Sequence, residues 1–178
     1  MTHIKVPQDR IGAIIGPQGS VKKMIEERST ATLNIDSENG TVEVIAGDDP
    51  VGGMRATDVI QAIGRGFNPD KTYIFFDDDL MMLEVIDLSQ TASTSKELLR
   101  LKGRIIGKGG KTREIIESLI GIKMSVYGKT VSAIGHPDQI IIVRTAMDML
   151  IGGATHGAVY SFLEKKKQDL MRSQLDSY

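Results

Sequence analysis

The 178-residue chain has no cysteine, no tryptophan, and only four tyrosines and four phenylalanines. Without cysteine there is no disulfide framework and no zinc–thiolate site, which fits a reducing compartment. Three histidines, His3, His136 and His156, are scattered along the sequence and suggest no metal cluster. No apolar run approaches the roughly 18 residues of a membrane span. The opening MTHIKVPQDR also lacks the apolar stretch of a signal peptide. A soluble, cytoplasmic protein with no membrane partner is therefore expected. The scarcity of aromatics argues against a flat sheet on which nucleobases stack. Net charge is scarce as well: 22 basic residues face 23 acidic ones, for a formal net charge of −1.

The positive charge that exists is local. Residues 96–113, KELLRLKGRIIGKGGKTR, hold seven cations (Lys96, Arg100, Lys102, Arg104, Lys108, Lys111, Arg113) against one acid, Glu97. At their centre is Gly107-Lys108-Gly109-Gly110, placed between two segments of helical character. Flexible backbone with concentrated cations, and no catalytic partner beside it, points to binding of a phosphate backbone.

Read in order, the chain starts with the short strand IKVP. Asp9 is a candidate cap for helix DRIGAII, which stops at Gly16-Pro17-Gln18-Gly19. A second helix, SVKKMIEERS, starts at the candidate cap Ser20. Two alternating strands, ATLNID and TVEVIA, flank Asn39-Gly40, a hairpin signal. Pro50 opens the helix VGGMRATDVIQAIGRG. Residues 67–80, FNPDKTYIFFDDDL, read as a connector. Its three aspartates diverge too much to favour a metal. Strand LEVIDLSQ follows, and then a helix capped at Thr94 or Ser95 that runs to Ile106. After the glycine turn come helix KTREIIESLI, strands IKMSVYG and KTVSAIG around Gly128-Lys129, a helix starting at Pro137, and a last helical segment, HGAVYSFLEKKKQDLMRS.

The order strand, helix, glycine turn, helix, strand, strand, helix thus occurs twice. A shift of 91 lays Ile14-Ile15-Gly16 on Ile105-Ile106-Gly107, Gly19 on Gly110, and Ile25-Glu26 on Ile116-Glu117. Beyond the hairpin the shift is 88, with Gly47 on Gly135, so three extra residues of the first copy are assigned to the hairpin. The fold class expected is α+β: two tandem copies, each a three-stranded sheet with helices packed on one face. The boundaries expected are 1–66, a connector at 67–80, and 81–178 with a C-terminal helical extension.

A Gly-x-x-Gly turn between helices lets a partner approach the backbone closely, and the amides opening the second helix favour an anion. The stretch IKVPQDRIGAIIGPQG resembles the start of a type I K-homology (KH) domain, and GRIIGKGGKTREIIES is similar to the same signature in a more basic form. The chain as a whole resembles the archaeal two-KH ribosome-biogenesis proteins related to the eukaryotic partner-of-Nob-one family. The stretches that carry this are LEVIDLSQ, GRIIGKGGKTR and GGATHGAVYSFL. The residues offer no catalytic set or cofactor site, so a non-catalytic protein without a cofactor that binds single-stranded RNA is expected, and the resemblance implies binding near the 3′ end of small-subunit rRNA. It also implies the endonuclease Nob-one and the alpha subunit of archaeal translation initiation factor two as partners.

The RNA-binding residues expected are Arg104, Ile105, Ile106, Gly107, Lys108, Gly109, Gly110, Lys111 and Arg113 in the second copy. In the first they are Gly16, Pro17, Gln18, Gly19, Lys22 and Lys23. Ile105, Ile106 and Ile116 are expected to floor the groove, with base edges read from strand residues 122–126. Pro17-Gln18 supplies no charge, and residues 1–68 carry 7 basic against 9 acidic residues. The second copy is therefore expected to grip RNA more strongly, with the first assisting. His156 is expected to cap or pack. GKGGKT fails as a nucleotide-binding P-loop, because Ile105 stands where that motif needs its first glycine and a helix precedes it. The alternatives are a scaffold docking a translation factor or nuclease, and an RNA-decay adaptor. The absence of an S1-like barrel argues against the latter.

Overall fold

The computed structural model describes residues 1–177, which form two units, 1–83 and 84–177. The first opens with strand β1 (Thr2–Lys5) and helix α1 (Gln8–Ile15). Pro7, rather than Asp9, takes the cap position of α1, and no side chain caps it. A single 3-10 turn, Pro17–Gly19, leads into α2 (Ser20–Ser29). Here left-handed Gly19 precedes the helix and Ser20 is already helical, so Ser20 is not the cap.

Strands β2 (Thr32–Asp36) and β3 (Thr41–Ile45) follow, then α3 (Pro50–Gly64) with proline in its first turn. The sheet order is β1-β3-β2, with β3 antiparallel to both neighbours. Ile4, Leu33, Val42 and Val44 alternate onto the face covered by α1, α2 and α3, and bury there with Ile14, Ile25 and Ile60.

Residues 67–80 are folded into this first unit. They contain α4 (Pro69–Thr72) and α5 (Ile74–Asp77), both packed on α3. The reason is apolar: Phe67 and Phe75 are among the largest fully buried side chains of the chain. The three aspartates make separate contacts. Asp77 pairs with Arg28, Asp78 accepts from the Leu80 amide, and the Asp79 carbonyl accepts from Arg55.

The second copy repeats the plan with β4 (Met82–Asp87), which spans the boundary between the units, α6 (Ser95–Ile106), a 3-10 turn at Lys108–Gly110, α7 (Lys111–Ile120), β5 (Lys123–Tyr127), β6 (Thr130–Gly135) and α8 (Pro137–Ile151). Its sheet order, β4-β6-β5, matches the first. Thr94 caps α6 as expected, accepting from the Glu97 amide at 3.1 Å. The extra residues of the first copy are shared between two loops. Its β2–β3 hairpin has four loop residues, 37–40, against Gly128 and Lys129 in the second. Its β3–α3 loop, 46–49, stands against His136 alone. A further helix, α9 (His156–Asp176), packs on α7 and α8 and buries Val159 and Leu163.

Candidate nucleic-acid interface

Both glycine turns are built alike. At Gly16 and Gly107 the chain leaves the preceding helix with φ of 74° and 78°, each amide still bonded to the carbonyl four residues back. A side chain would not fit at either position. A methyl group on Gly16 would collide with Val21, and one on Gly107 with Thr112. Gly19 and Gly110 are left-handed as well, with open space around them. Their amides close the turn on the carbonyls of Gly16 and Gly107, 3.1 Å in both cases. The third residue also needs a positive φ, 55° at Gln18 and 63° at Gly109. Only the second copy supplies glycine there.

The cations differ between the copies. Lys108 and Lys111 are exposed and have no acidic partner among the described residues. Arg113 is also exposed, 3.3 Å from Glu117 on its own helix. At the first turn Pro17 and Gln18 are exposed and neutral. Lys22 is half-buried, and Lys23 lies 4.0 Å from Glu27. The N-termini of α2 and α7 both open directly from these turns, so the helix dipole favours an anion at each.

Three expectations change. Arg104 is half-buried, and its guanidinium donates from Nε to the Leu150 carbonyl at 3.1 Å and from Nη2 to the Ala154 carbonyl. It braces the C-terminus of α8, whose last carbonyls lack helical partners. Unlike Lys108 and Lys111, it is thus engaged by protein carbonyls. Arg10 does the same in the first unit, donating to the carbonyls of Ile63 and Phe67, both at 2.8 Å. Secondly, Ile105 and Ile116 are 0% exposed, so they carry the turn from below and present no floor to a ligand. Ile106 remains half-buried at the surface. Thirdly, Ile122, Met124 and Ser125 are buried, which leaves Lys123, Val126 and Tyr127 as the partly open positions of β5.

His156 packs, as expected: its Nε2 lies 3.0 Å from the Arg104 carbonyl. Thr112 and Tyr160 lay outside the sequence reading. Their hydroxyls meet at 2.9 Å behind the second turn. No local pattern marks this pair, because 48 residues separate the two side chains.

Helix, Gly-x-x-Gly turn, helix, hairpin and helix on a sheet of order 1-3-2 define a type I KH module, and this chain contains two. The family described as "KH domain" matches residues 1–61, and the one described as "Eukaryotic type KH-domain (KH-domain type I)" matches residues 82–168. The KH domain-containing protein MJ0443 of Methanocaldococcus jannaschii is 43% identical over 176 residues, covering 97% of this chain and 77% of its own. The pre-rRNA-processing protein pno1 of Schizosaccharomyces pombe is 23% identical over 92% of this chain and 69% of its own. A chain in the crystal structure of the a/eIF2alpha–aDim2p–rRNA complex from Pyrococcus horikoshii superposes with a TM-score of 0.88. It is 43% identical, with 94% of each chain covered. The chain belongs to the PNO1-like family of archaeal tandem-KH ribosome-biogenesis proteins.

Proposed function

We propose that this chain is a non-catalytic, cytoplasmic RNA-binding protein that holds single-stranded rRNA near the 3′ end of the small ribosomal subunit during its maturation. The observation that carries the reading is the second glycine turn: exposed, free of side chains at Gly107, Gly109 and Gly110, and flanked by Lys108, Lys111 and Arg113. A KH turn of this kind clamps the backbone of about four nucleotides. Ile106 lies beside the turn as the apolar surface on which a base rests. The second copy grips the strand and the first, with Gly16, Pro17, Gln18, Gly19, Lys22 and Lys23, assists.

The likeness to a chain in the a/eIF2alpha–aDim2p–rRNA complex supports rRNA as the ligand and the alpha subunit of the archaeal initiation factor as a protein partner. The endonuclease Nob-one is the further partner, proposed from family resemblance. No helix of the described residues is long and apolar enough to cross a membrane.

The test replaces Lys108 and Gly109 with aspartate and measures affinity for an oligonucleotide from the 3′ end of small-subunit rRNA. Position 109 has open space around it, and aspartate tolerates a positive φ better than most residues. The fold is therefore kept while two negative charges meet the phosphates, and binding is lost. Unchanged affinity of the double variant would refute the reading.

A further inference from the structure

Helix α9 begins at His156, beside the C-terminal end of α6, and runs along α7. The Thr155 hydroxyl caps it, accepting from the Ala158 amide at 3.2 Å. His156 Nε2 lies 3.0 Å from the carbonyl oxygen of Arg104; that oxygen can only accept, so Nε2 carries the proton. One turn further, the Tyr160 hydroxyl lies 2.9 Å from Thr112 Oγ1. Arg104 is in the last turn of α6, and Thr112 in the first turn of α7. The two helix ends between which the Gly107-Lys108-Gly109-Gly110 turn is strung are thus tied to a single third helix.

Thr112 is the pivot. It is buried, and the first glycine of the turn rests directly on it: a side chain at Gly107 would strike Thr112 Oγ1 and Cβ. In the first unit Val21 holds the equivalent place under Gly16. Valine has no hydroxyl to bond, and the chain after α3 goes instead into α4 and α5, which pack on α3. The hydroxyl pair is a property of the copy that also carries Lys108 and Lys111.

We propose that Tyr160 is a positioning residue for RNA binding. Through Thr112 it holds the second turn in its binding geometry before RNA arrives, so that less conformational freedom is lost on binding. This rests on the reading of the second turn as the RNA clamp. Tyr160 itself touches no RNA in this role.

The experiment uses the full chain and a single-stranded oligonucleotide from the 3′ end of small-subunit rRNA, at temperatures well below every melting midpoint. Tyr160→Phe keeps the ring and its packing and removes one hydroxyl. Thr112→Val removes the other and reproduces the first copy. Each single variant is expected to bind about three- to tenfold more weakly, the usual worth of one net hydrogen bond. The salt dependence should be unchanged, since no cation is lost. The double variant should be no weaker than the weaker single, because both changes remove one interaction. In the RNA-free protein, hydrogen exchange at the Gly110 amide, which closes the turn on Gly107, should speed up in both singles.

Wild-type affinity in both single variants, beside lost binding in the Lys108→Asp, Gly109→Asp protein, would overturn the positioning role and leave the RNA clamp standing. Additive losses in the double variant, or unchanged exchange at Gly110, would overturn it too. A wild-type protein that binds no RNA would take down the clamp and the positioning role together.

Discussion

Arg104 lies in the basic stretch around the second turn, yet it serves two carbonyl oxygens at the end of α8. Hydrogen bonds from a charged donor to half-buried acceptors are worth about 1.5–3 kcal/mol together with the packing they fix. Arg104→Ala is expected to lower unfolding stability by roughly that amount in urea melts. Arg104→Lys should recover little, because a point charge cannot span both carbonyls. The salt slope of RNA binding should not change in either variant, which separates a brace from a phosphate contact. Gln18 makes a second residue-scale case. Its φ of 55° costs a non-glycine residue about 1–2 kcal/mol, while a glycine there gives back about 0.5–1 kcal/mol in chain entropy. Gln18→Gly is therefore expected to stabilise the protein by about 0.5–1 kcal/mol, readable in the urea midpoint.

At the scale of elements, three carboxylates hold junctions and respond to acid in the same direction. Asp36 accepts from the side chain and amide of Asn39 at the β2–β3 hairpin, Asp87 from the Ser89 hydroxyl and amide where β4 ends, and Glu97 from the Ser93 amide and hydroxyl where α6 begins. In each case these hydrogen bonds hold the carboxyl below its ordinary range. A folded-state pKa below the unfolded one gives stability that is present above the unfolded value, about 4, and lost as pH falls through the folded value. Asp58 has the opposite sign: burial raises its carboxyl, and acid relieves that cost as pH falls through its folded value toward the unfolded one. The three lowered groups outnumber it. The melting temperature should therefore fall below roughly pH 4, and Glu97→Gln should make that fall shallower. An acid limb of the same steepness in the variant would contradict the role given to Glu97.

At the scale of the whole molecule, two copies of one module carry different turns. The first has Pro17 and Gln18 where the second has Lys108 and Gly109, so equal substitutions should have unequal effects. Aspartates at 17 and 18 should weaken RNA binding far less than aspartates at 108 and 109. Equal losses in a filter-binding or fluorescence titration would contradict the asymmetry. With about three or four phosphate contacts at the second turn, the log–log salt slope should be roughly −2 to −3 for a single strand. The 108/109 change should flatten it, and the 17/18 change should leave it near the wild-type value.

The amino-acid sequence by itself determined the repeat and both glycine turns, because their signals are local. A positive φ demands glycine at 16, 19, 107 and 110; alternation marks Val42 and Val44; and Thr94 stands three residues before the amide it caps. Residues 67–80 read as a connector in the sequence because α4 and α5 have four residues each, too short to show a period. Only packing on α3 makes Phe67 and Phe75 core. Tertiary structure likewise decided which cations remain free. Arg104 meets carbonyls 46 and 50 residues away, and Thr112 meets a tyrosine 48 residues away. Charge and glycine spacing are written along the chain. Whether a guanidinium reaches a phosphate or a carbonyl depends on what folding brings beside it.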